Sequence, residues 1–318
     1  MAAAKTGAAL ADLSARGTLR ITGEDRVPFL HGMCTQDIKG LCAGSLTYAA
    51  LLTAKGAMVA DARVMRLEGA LLLDLEPGLA SKVSDFLNKY LISEDAEVHD
   101  ESAAWGRLAL WGPRARAVLE AVGVEPPAPG QFAALELQGH TLLLAESALT
   151  LRPPGFDLWV PVGALDAVYS RLRDAVGFAV KPLGFEALEL LRVEAGVPRY
   201  GQDMGDTTFP MEANLERALH FNKGCYIGQE VIARATFRGH MNRKLVGLRL
   251  GSTHPSPLSE LRVGERKVGF ITSAVRSPGS GKCLGLGYVH RDFLAPGTEL
   301  SIAGETGFAT VERLPFPD

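Results

Sequence analysis

The chain has 318 residues, 47% of them hydrophobic, with 33 basic against 36 acidic side chains and a formal charge of -3. That length can bury more than one core, so two or three domains are expected. The balanced charge offers no bulk attraction for polyanions, which argues against nucleic acid as a partner. No apolar run approaches the roughly 18 residues of a membrane span. The Ala-rich start, with Lys5 and Asp12, lacks the apolar stretch of a signal peptide, so a cytoplasmic protein without membrane contact is the expectation. Cys34, Cys42, Cys225 and Cys283 are few and scattered, contain no C-x-x-C pair, and are joined by no ligand-spaced histidines. No metal site is therefore expected within one chain.

In chain order, Leu19 to Gly23 alternates like a strand, and Glu24 to Cys34 places Val27, Leu30 and Cys34 on one helical face. Strands are expected at Leu46 to Leu52, Met58 to Leu67 and Ala70 to Leu75. A helix follows at Ser81 to Leu91, with Val83, Phe86, Leu87 and Tyr90 inward. A second stretch repeats the recipe, with a strand at Arg107 to Trp111, a helix at Arg114 to Val122 and a Pro-rich break at Glu125 to Gly130. It continues with strands near Phe132 to Leu137, Thr141 to Ala145 and Phe156 to Val160, then a helix at Leu165 to Val176. Helix Phe185 to Glu194 comes next. After Arg243 the segments are short and strand-like, at Lys244 to Leu250, Lys267 to Val275, Leu284 to His290, Glu299 to Ile302 and Thr310 to Leu314. Gly, Ser and Pro separate them, as in a small antiparallel barrel. The implied fold is α+β: two similar αβ lobes (1–104 and 105–182), a helical return segment (183–240) and a C-terminal β-barrel (241–318).

The segment Lys223-Gly224-Cys225-Tyr226-Ile227-Gly228-Gln229-Glu230 carries the densest chemistry. Val231 to Ala233 read as the start of a helix with Gly228 near its N-terminus. A thiol just upstream would face unpaired N–H groups and the positive dipole end, with Lys223 two residues away; all three favour thiolate over thiol. The ordinary alternative is that Cys225 is a small buried hydrophobe.

These residues resemble the K-G-C-Y-x-G-Q-E signature of the YgfZ-type folate-binding proteins, a branch of the glycine-cleavage T-protein (aminomethyltransferase) superfamily associated with maintaining iron–sulfur enzymes. Arg192 to Pro198, Tyr200 to Met204, Pro210 and Asn214-Leu215 resemble the run that precedes the signature. Trp111 to Ala115 and Gly155-Phe156-Asp157-Leu158 fall in the superfamily's order. The resemblance runs from about Leu19 to the C-terminus, and it implies the same multi-lobed plan around a folate-sized hole.

The resemblance also implies site residues. Asp157 stands where T-proteins carry a glutamate, and an ionised carboxylate there accepts paired hydrogen bonds from a pteridine; a strand-edge Asp is the alternative. Tyr48 matches a ligand-lining tyrosine, or else is a core Tyr. Asp61, ending Lys55 to Asp61, matches the acid beside the reacting nitrogens of folate, where it could manage protons in one-carbon transfer; an inward or edge Asp is the alternative. Asp74 replaces an asparagine, and Leu188 replaces an Arg or Trp that packs on the pteridine. Cations at Arg234, Arg238, His240, Arg243 and Lys244 could meet the carboxylates of a polyglutamylated folate or the phosphates of a nucleic-acid partner, or form a solvated face.

Three functions compete on these features. The first is a tetrahydrofolate-binding accessory protein that uses Cys225, with Lys223 and Asp61 as catalytic partners, to support assembly or repair of iron–sulfur enzymes. Its partners would be folate and iron–sulfur client or assembly proteins. An aminomethyltransferase or other folate-dependent one-carbon transferase is the second, and a non-catalytic partner-binding module is the third.

Overall fold

The computed structural model describes residues 2–137, 139–147, 155–251, 254–277 and 281–316, with the side chains of Phe237 and Arg238 outside that description. The chain folds into two compact units. The first comprises Met1–Leu52, Val59–Gly184 and Arg217–Ile227; the second comprises Thr53–Met58, Phe185–Glu216 and Gly228–Asp318.

The first unit begins with α1 (Ala2–Thr6) and β1 (Ala9–Asp12). It continues with β2 (Gly17–Thr22), α2 (Arg26–Met33), β3 (Leu46–Leu52), β4 (Met58–Arg66), β5 (Leu71–Leu75), α3 (Ala80–Asn88) and β6 (Glu97–Asp100). The same order then recurs as β7 (Trp105–Trp111), α4 (Ala115–Ala121), β8 (Phe132–Leu137), β9 (His140–Glu146), β10 (Gly155–Pro161), α5 (Leu165–Arg173) and β11 (Lys181–Pro182). One sheet runs β3-β4-β5-β2-β6 and the other β8-β9-β10-β7-β1-β11. The two αβ lobes are thus one motif used twice, except that β1 inserts between β7 and β11. It pairs antiparallel to the former and parallel to the latter. The first residues of the chain therefore build the sheet of the second lobe, although the boundary near residue 104 places them with the first. Four-residue β1 and two-residue β11 are too short for a periodicity to register.

Strand alternation explains how each sheet is buried on both faces. On one face of the first sheet Leu19, Ile21, Val64, Leu71, Leu73 and Leu75 pack with Leu30, Val83 and Leu87 of the helices. Leu108, Leu110, Leu144, Phe156, Leu158 and Val160 do the same in the second, against Val118, Leu119, Val168 and Leu172. The intervening residues turn the other way, so that Met65, Leu72, Phe132, Leu143, Ala145 and Trp159 form a third cluster to which both sheets contribute. Close approach is demanding here: a Cβ at Gly155, which pairs with Trp111, would stand 1.7 Å from that indole. Only a residue without one fits.

The second unit carries α6 (Phe185–Glu194), α7 (Gln229–Arg238) and strands β12 (Arg243–Arg249), β13 (Glu260–Val263), β14 (Arg266–Arg276), β15 (Cys283–His290), β16 (Glu299–Ile302) and β17 (Phe308–Glu312). The strands close into a barrel in the order β12-β15-β14-β13-β16-β17. Five of the six match the expected segments within two residues; β13, flanked by turns and only half-buried, does not stand out from its loop. Its core is Leu248, Leu261, Ile271, Val289, Leu300 and Val311. Buried Arg192 of α6 pairs with Asp203 and donates to Ser273 Oγ of β14 at 2.7 Å, so a charged pair joins helix to barrel. Gly228 caps α7 in the left-handed region at φ 84°, the backbone reason for a glycine at that point of the signature.

Candidate functional site

The inner faces of the two sheets in the first unit carry charge where apolar residues would be expected. Arg63 and Asp74 are cross-strand partners on β4 and β5, and Arg107 and Trp159 are partners on β7 and β10. Between the sheets Arg63 Nη1 donates to Asp157 Oδ2 at 2.9 Å, and Arg107 Nη2 lies 2.9 Å from the same oxygen. Arg107 also pairs with Asp74, whose two oxygens accept from Arg16 Nε and Nη2 at 3.0 and 3.1 Å. Arg16 reaches Glu76 as well. Both Arg63 and Arg107 lie over the Trp159 ring, 4.6 and 4.7 Å from its centroid. Three guanidiniums thus meet three carboxylates around an indole, with each lobe supplying an arginine at its first strand (Arg16, Arg107) and an aspartate from its fourth (Asp74, Asp157).

This box holds Asp74 ionised: the charges of Arg107, Arg16 and Arg63 outweigh its burial and pull its carboxyl far below the usual range. Burial, reinforced by the neighbouring Arg107, lowers Arg63 to about 10 despite Asp157 and Asp74. The box is not fully saturated. Asp157 Oδ1 is buried and has no hydrogen-bond partner among the described residues.

Beside it stands an acid in a different condition. Asp61 lies two residues before Arg63 on β4, and its Oδ2 accepts the Tyr48 hydroxyl at 2.8 Å. Its Oδ1 is buried, again without a partner among the described residues. Burial first, then the negative charge of Glu76, pushes Asp61 up to about 6, against the opposing Tyr48 hydrogen bond and Arg16. The Arg217 guanidinium lies 4.9 Å from the Tyr48 ring centroid and fixes the ring from its face. Such a carboxyl exchanges a proton near neutral pH, the property required of an acid–base group.

The signature segment is anchored through Lys223. Its ammonium donates to the carbonyls of His31, Cys34 at 2.8 Å and Gln36 at 2.7 Å, at and just beyond the C-terminus of α2. All three protons are used on the electronegative helix end. Ile227 N–H adds a bond to Gly32 O at 3.1 Å and His220 N–H one to Thr35 O at 3.0 Å. Cys225 is exposed on this pinned segment.

The sequence-expected residues thus fall into separate groups. Tyr48 and Asp61 touch, Asp74 and Asp157 share Arg63 and Arg107, and Lys223 and Cys225 sit on the segment bound to α2. Leu188 is buried on α6 of the second unit, and Arg234 is exposed on α7, paired with Glu230 at 2.7 Å. Arg243 pairs with Glu212 at 3.0 Å and Lys244 with Glu216 at 3.1 Å, so these cations have acidic partners within the chain. The Arg238 side chain lies outside the described residues. Arg16, Arg63, Arg107, Glu76, Trp159 and Arg217 were absent from the expected set. Arg107 did leave a signal, a charge within a strand otherwise filled by apolar residues and glycine, whereas Arg63 shares its strand with Asp61 and Arg66.

Comparison with known proteins places this architecture. The GCVT N-terminal domain matches residues 1–223, and the glycine cleavage T-protein C-terminal barrel domain matches residues 243–318. The chain belongs to the glycine cleavage T-protein family. It is 30% identical to an aminomethyltransferase of Rubrobacter xylanophilus, over 99% of this chain and 84% of that one. It is also 30% identical to an aminomethyltransferase of Saccharopolyspora erythraea, over 99% and 88%. The crystal structure of the glycine cleavage system aminomethyltransferase T from Bartonella henselae superposes with a TM-score of 0.89 at 26% identity, covering 99% of this T-protein family member and 87% of that chain. Among the described residues no helix is long and apolar enough to cross a membrane.

Proposed function

We propose that this T-protein family member binds tetrahydrofolate and handles a one-carbon unit beside Asp61, as a folate-dependent one-carbon transferase. The observation that carries the reading is the Tyr48–Asp61 pair, a carboxyl with one oxygen held, one unpartnered, and a proton affinity near neutrality. The relatives' designation as aminomethyltransferases supports it. Tetrahydrofolate, when bound, supplies the nitrogens that carry the one-carbon unit. Asp61 would hold or release a proton at Oδ1 there, while Tyr48 fixes Oδ2. The unpartnered buried oxygen of Asp157 is an acceptor of the kind a pteridine N–H requires. Titration with tetrahydrofolate, followed by turnover with an aminomethyl-lipoyl carrier, tests the reading. Folate binding that survives Asp61→Asn with turnover abolished is the expected result; absence of folate binding overturns it.

A second reading is favoured by the signature itself. The exposed thiol of Cys225 on a segment fastened by Lys223 fits a YgfZ-type protein that uses folate to support iron–sulfur enzymes, in the cytoplasm and with client or assembly proteins as partners. Cells lacking the protein should recover iron–sulfur enzyme activity with the native chain and not with Cys225→Ser. Full recovery with the serine variant would remove this reading and leave the first intact.

A further inference from the structure

Within the first unit, the chain that opens the signature is joined to the Tyr48–Asp61 pair by an unbroken run of contacts. Thr35, fully buried in the loop after α2, is the rivet. Its hydroxyl accepts from the Ala50 N–H at 2.9 Å and donates to the Ala218 carbonyl, so one group serves in both senses. Its backbone is used as well: the Thr35 N–H reaches Ala50 O at 3.0 Å, and Thr35 O accepts from the His220 N–H at 3.0 Å. Gln36 Nε2 adds a bond to Arg217 O at 3.0 Å. Residues 217, 218 and 220, just upstream of Lys223, are thereby stitched through Thr35 and Gln36 to Ala50 of β3. Tyr48 lies two residues earlier on the same face of that strand. The Arg217 side chain closes the circuit, its guanidinium 4.9 Å from the Tyr48 ring centroid. Arg217 is exposed, and its guanidinium has no hydrogen-bond or ion-pair partner among the described residues. Such a side chain ordinarily keeps its rotamer freedom in solvent; here the backbone beneath it is fastened and the ring takes the cation.

We propose that Arg217 is a positioning residue for the Tyr48–Asp61 pair and that Thr35 sets it there, so that the seating of the signature segment is communicated to the acid. The cation acts on the ring in two ways. It keeps the ring from turning away from Asp61, and it draws electron density from the phenol, which makes the hydroxyl a better donor to Asp61 Oδ2. Around Tyr48, burial first and then Asp61 and Glu76 hold the phenol protonated, and Arg217 opposes them. Around Asp61, burial and Glu76 oppose the charge, while Tyr48 and Arg16 favour it. Arg217 therefore reaches Asp61 through Tyr48, and loosening it makes the carboxyl hold its proton more tightly. Lys223, bonded to three carbonyls at the end of α2, has a purpose in this frame: it fastens the downstream end of the stretch whose upstream end carries Arg217.

The inference rests on Asp61 being the acid–base group, yet its test requires neither folate nor turnover. The full chain is labelled with carbon-13 in the side-chain carboxyl of aspartate. The Asp61 resonance is identified by its loss in Asp61→Asn, and its chemical shift is followed from pH 4 to 9. Arg217→Gln should raise the midpoint from about 6 by about half a pH unit, the scale of a partly exposed charge at close range. Thr35→Val, close in shape but without the hydroxyl, should raise it in the same direction, and Thr35→Ser, which keeps the hydroxyl, should leave it at the parent value. Combining Arg217→Gln with Thr35→Val should add little to the larger single shift, because both act through one contact. An unchanged or lowered midpoint in Arg217→Gln overturns the proposal. So does a folded Thr35→Val at the parent value, or a double variant in which the two shifts simply add. Should Thr35→Val fail to fold, Gln36→Met, which removes the side-chain bond to Arg217 O, takes its place: a smaller rise sustains the coupling and no rise overturns it. Absence of folate binding would defeat the proposed function without altering these midpoints.

Discussion

Two buried carboxylates on adjacent strands of one sheet, Asp74 on β5 and Asp61 on β4, are treated in opposite ways. Asp74, with Asp157 across from it, is surrounded by guanidiniums, and its negative charge is matched before any ligand arrives. Asp61, two residues from Arg63, is held by a neutral hydroxyl and repelled by Glu76. The first arrangement makes a buried charge structural, because every state except the ionised one breaks ion pairs. The second leaves a charge poised, because ionised and protonated forms lie close in free energy near pH 6. The lesson is that burial alone does not mark a functional acid; what distinguishes it is burial without a compensating cation.

The comparison breaks most forcefully at Asp157. Asp157→Ala should leave Arg63 and Arg107 sharing one aspartate in a buried site, at a cost of about 3–5 kcal/mol, read by urea denaturation. A variant that keeps native stability and loses only folate affinity would show that the box is not structural.

Asp61→Asn should do the reverse. An acid whose folded pKa is raised holds its proton more tightly when folded, so its contribution is most favourable below the unfolded value and declines as pH rises through about 6. Removing the charge should therefore stabilise the fold by about 3 kcal/mol at pH 8, with the difference vanishing below pH 4, while turnover is lost. Melting curves across that range supply the check, and a destabilised Asp61→Asn at pH 8 would contradict it. Asp74 has the opposite sign: its depressed pKa gives stability that is present above pH 4 and is lost in acid.

The smallest effect is expected at Tyr48. Tyr48→Phe removes the side-chain hydrogen bond that favours the Asp61 carboxylate, a contribution of about 1 kcal/mol. The downturn of stability, and any acid limb of turnover, should move to higher pH, and a shift to lower pH would count against the assigned donor.

Much of this was legible in the chain, and the reasons for the rest are physical. The long helices and strands announce themselves by period, and Tyr48, Asp61, Asp74 and Asp157 stand out through their resemblance to ligand-lining positions. The arginines of the box come from three distant segments, and only the packing of the two sheets shows that they converge on two aspartates. Strands β1, β6 and β13 are too short or too polar to carry a pattern of their own, and it is their partners that make them strands. Lys223 reads in sequence as the neighbour of a thiol, yet the chain folds so that its protons serve the end of α2.

The placement of β1 has a consequence for biosynthesis. A ribosome delivers the N-terminus first, but Ala9–Asp12 finds its antiparallel partner only after β7 has been made and its parallel partner only after β11. Residues 17–100, by contrast, contain a complete sheet and can close as they emerge. During translation this segment must therefore wait with an unpaired backbone until its partners are made, and the second lobe takes a strand from a segment synthesised before the first. Transposing that segment to a position after β11 would let each lobe assemble in the order it is synthesised.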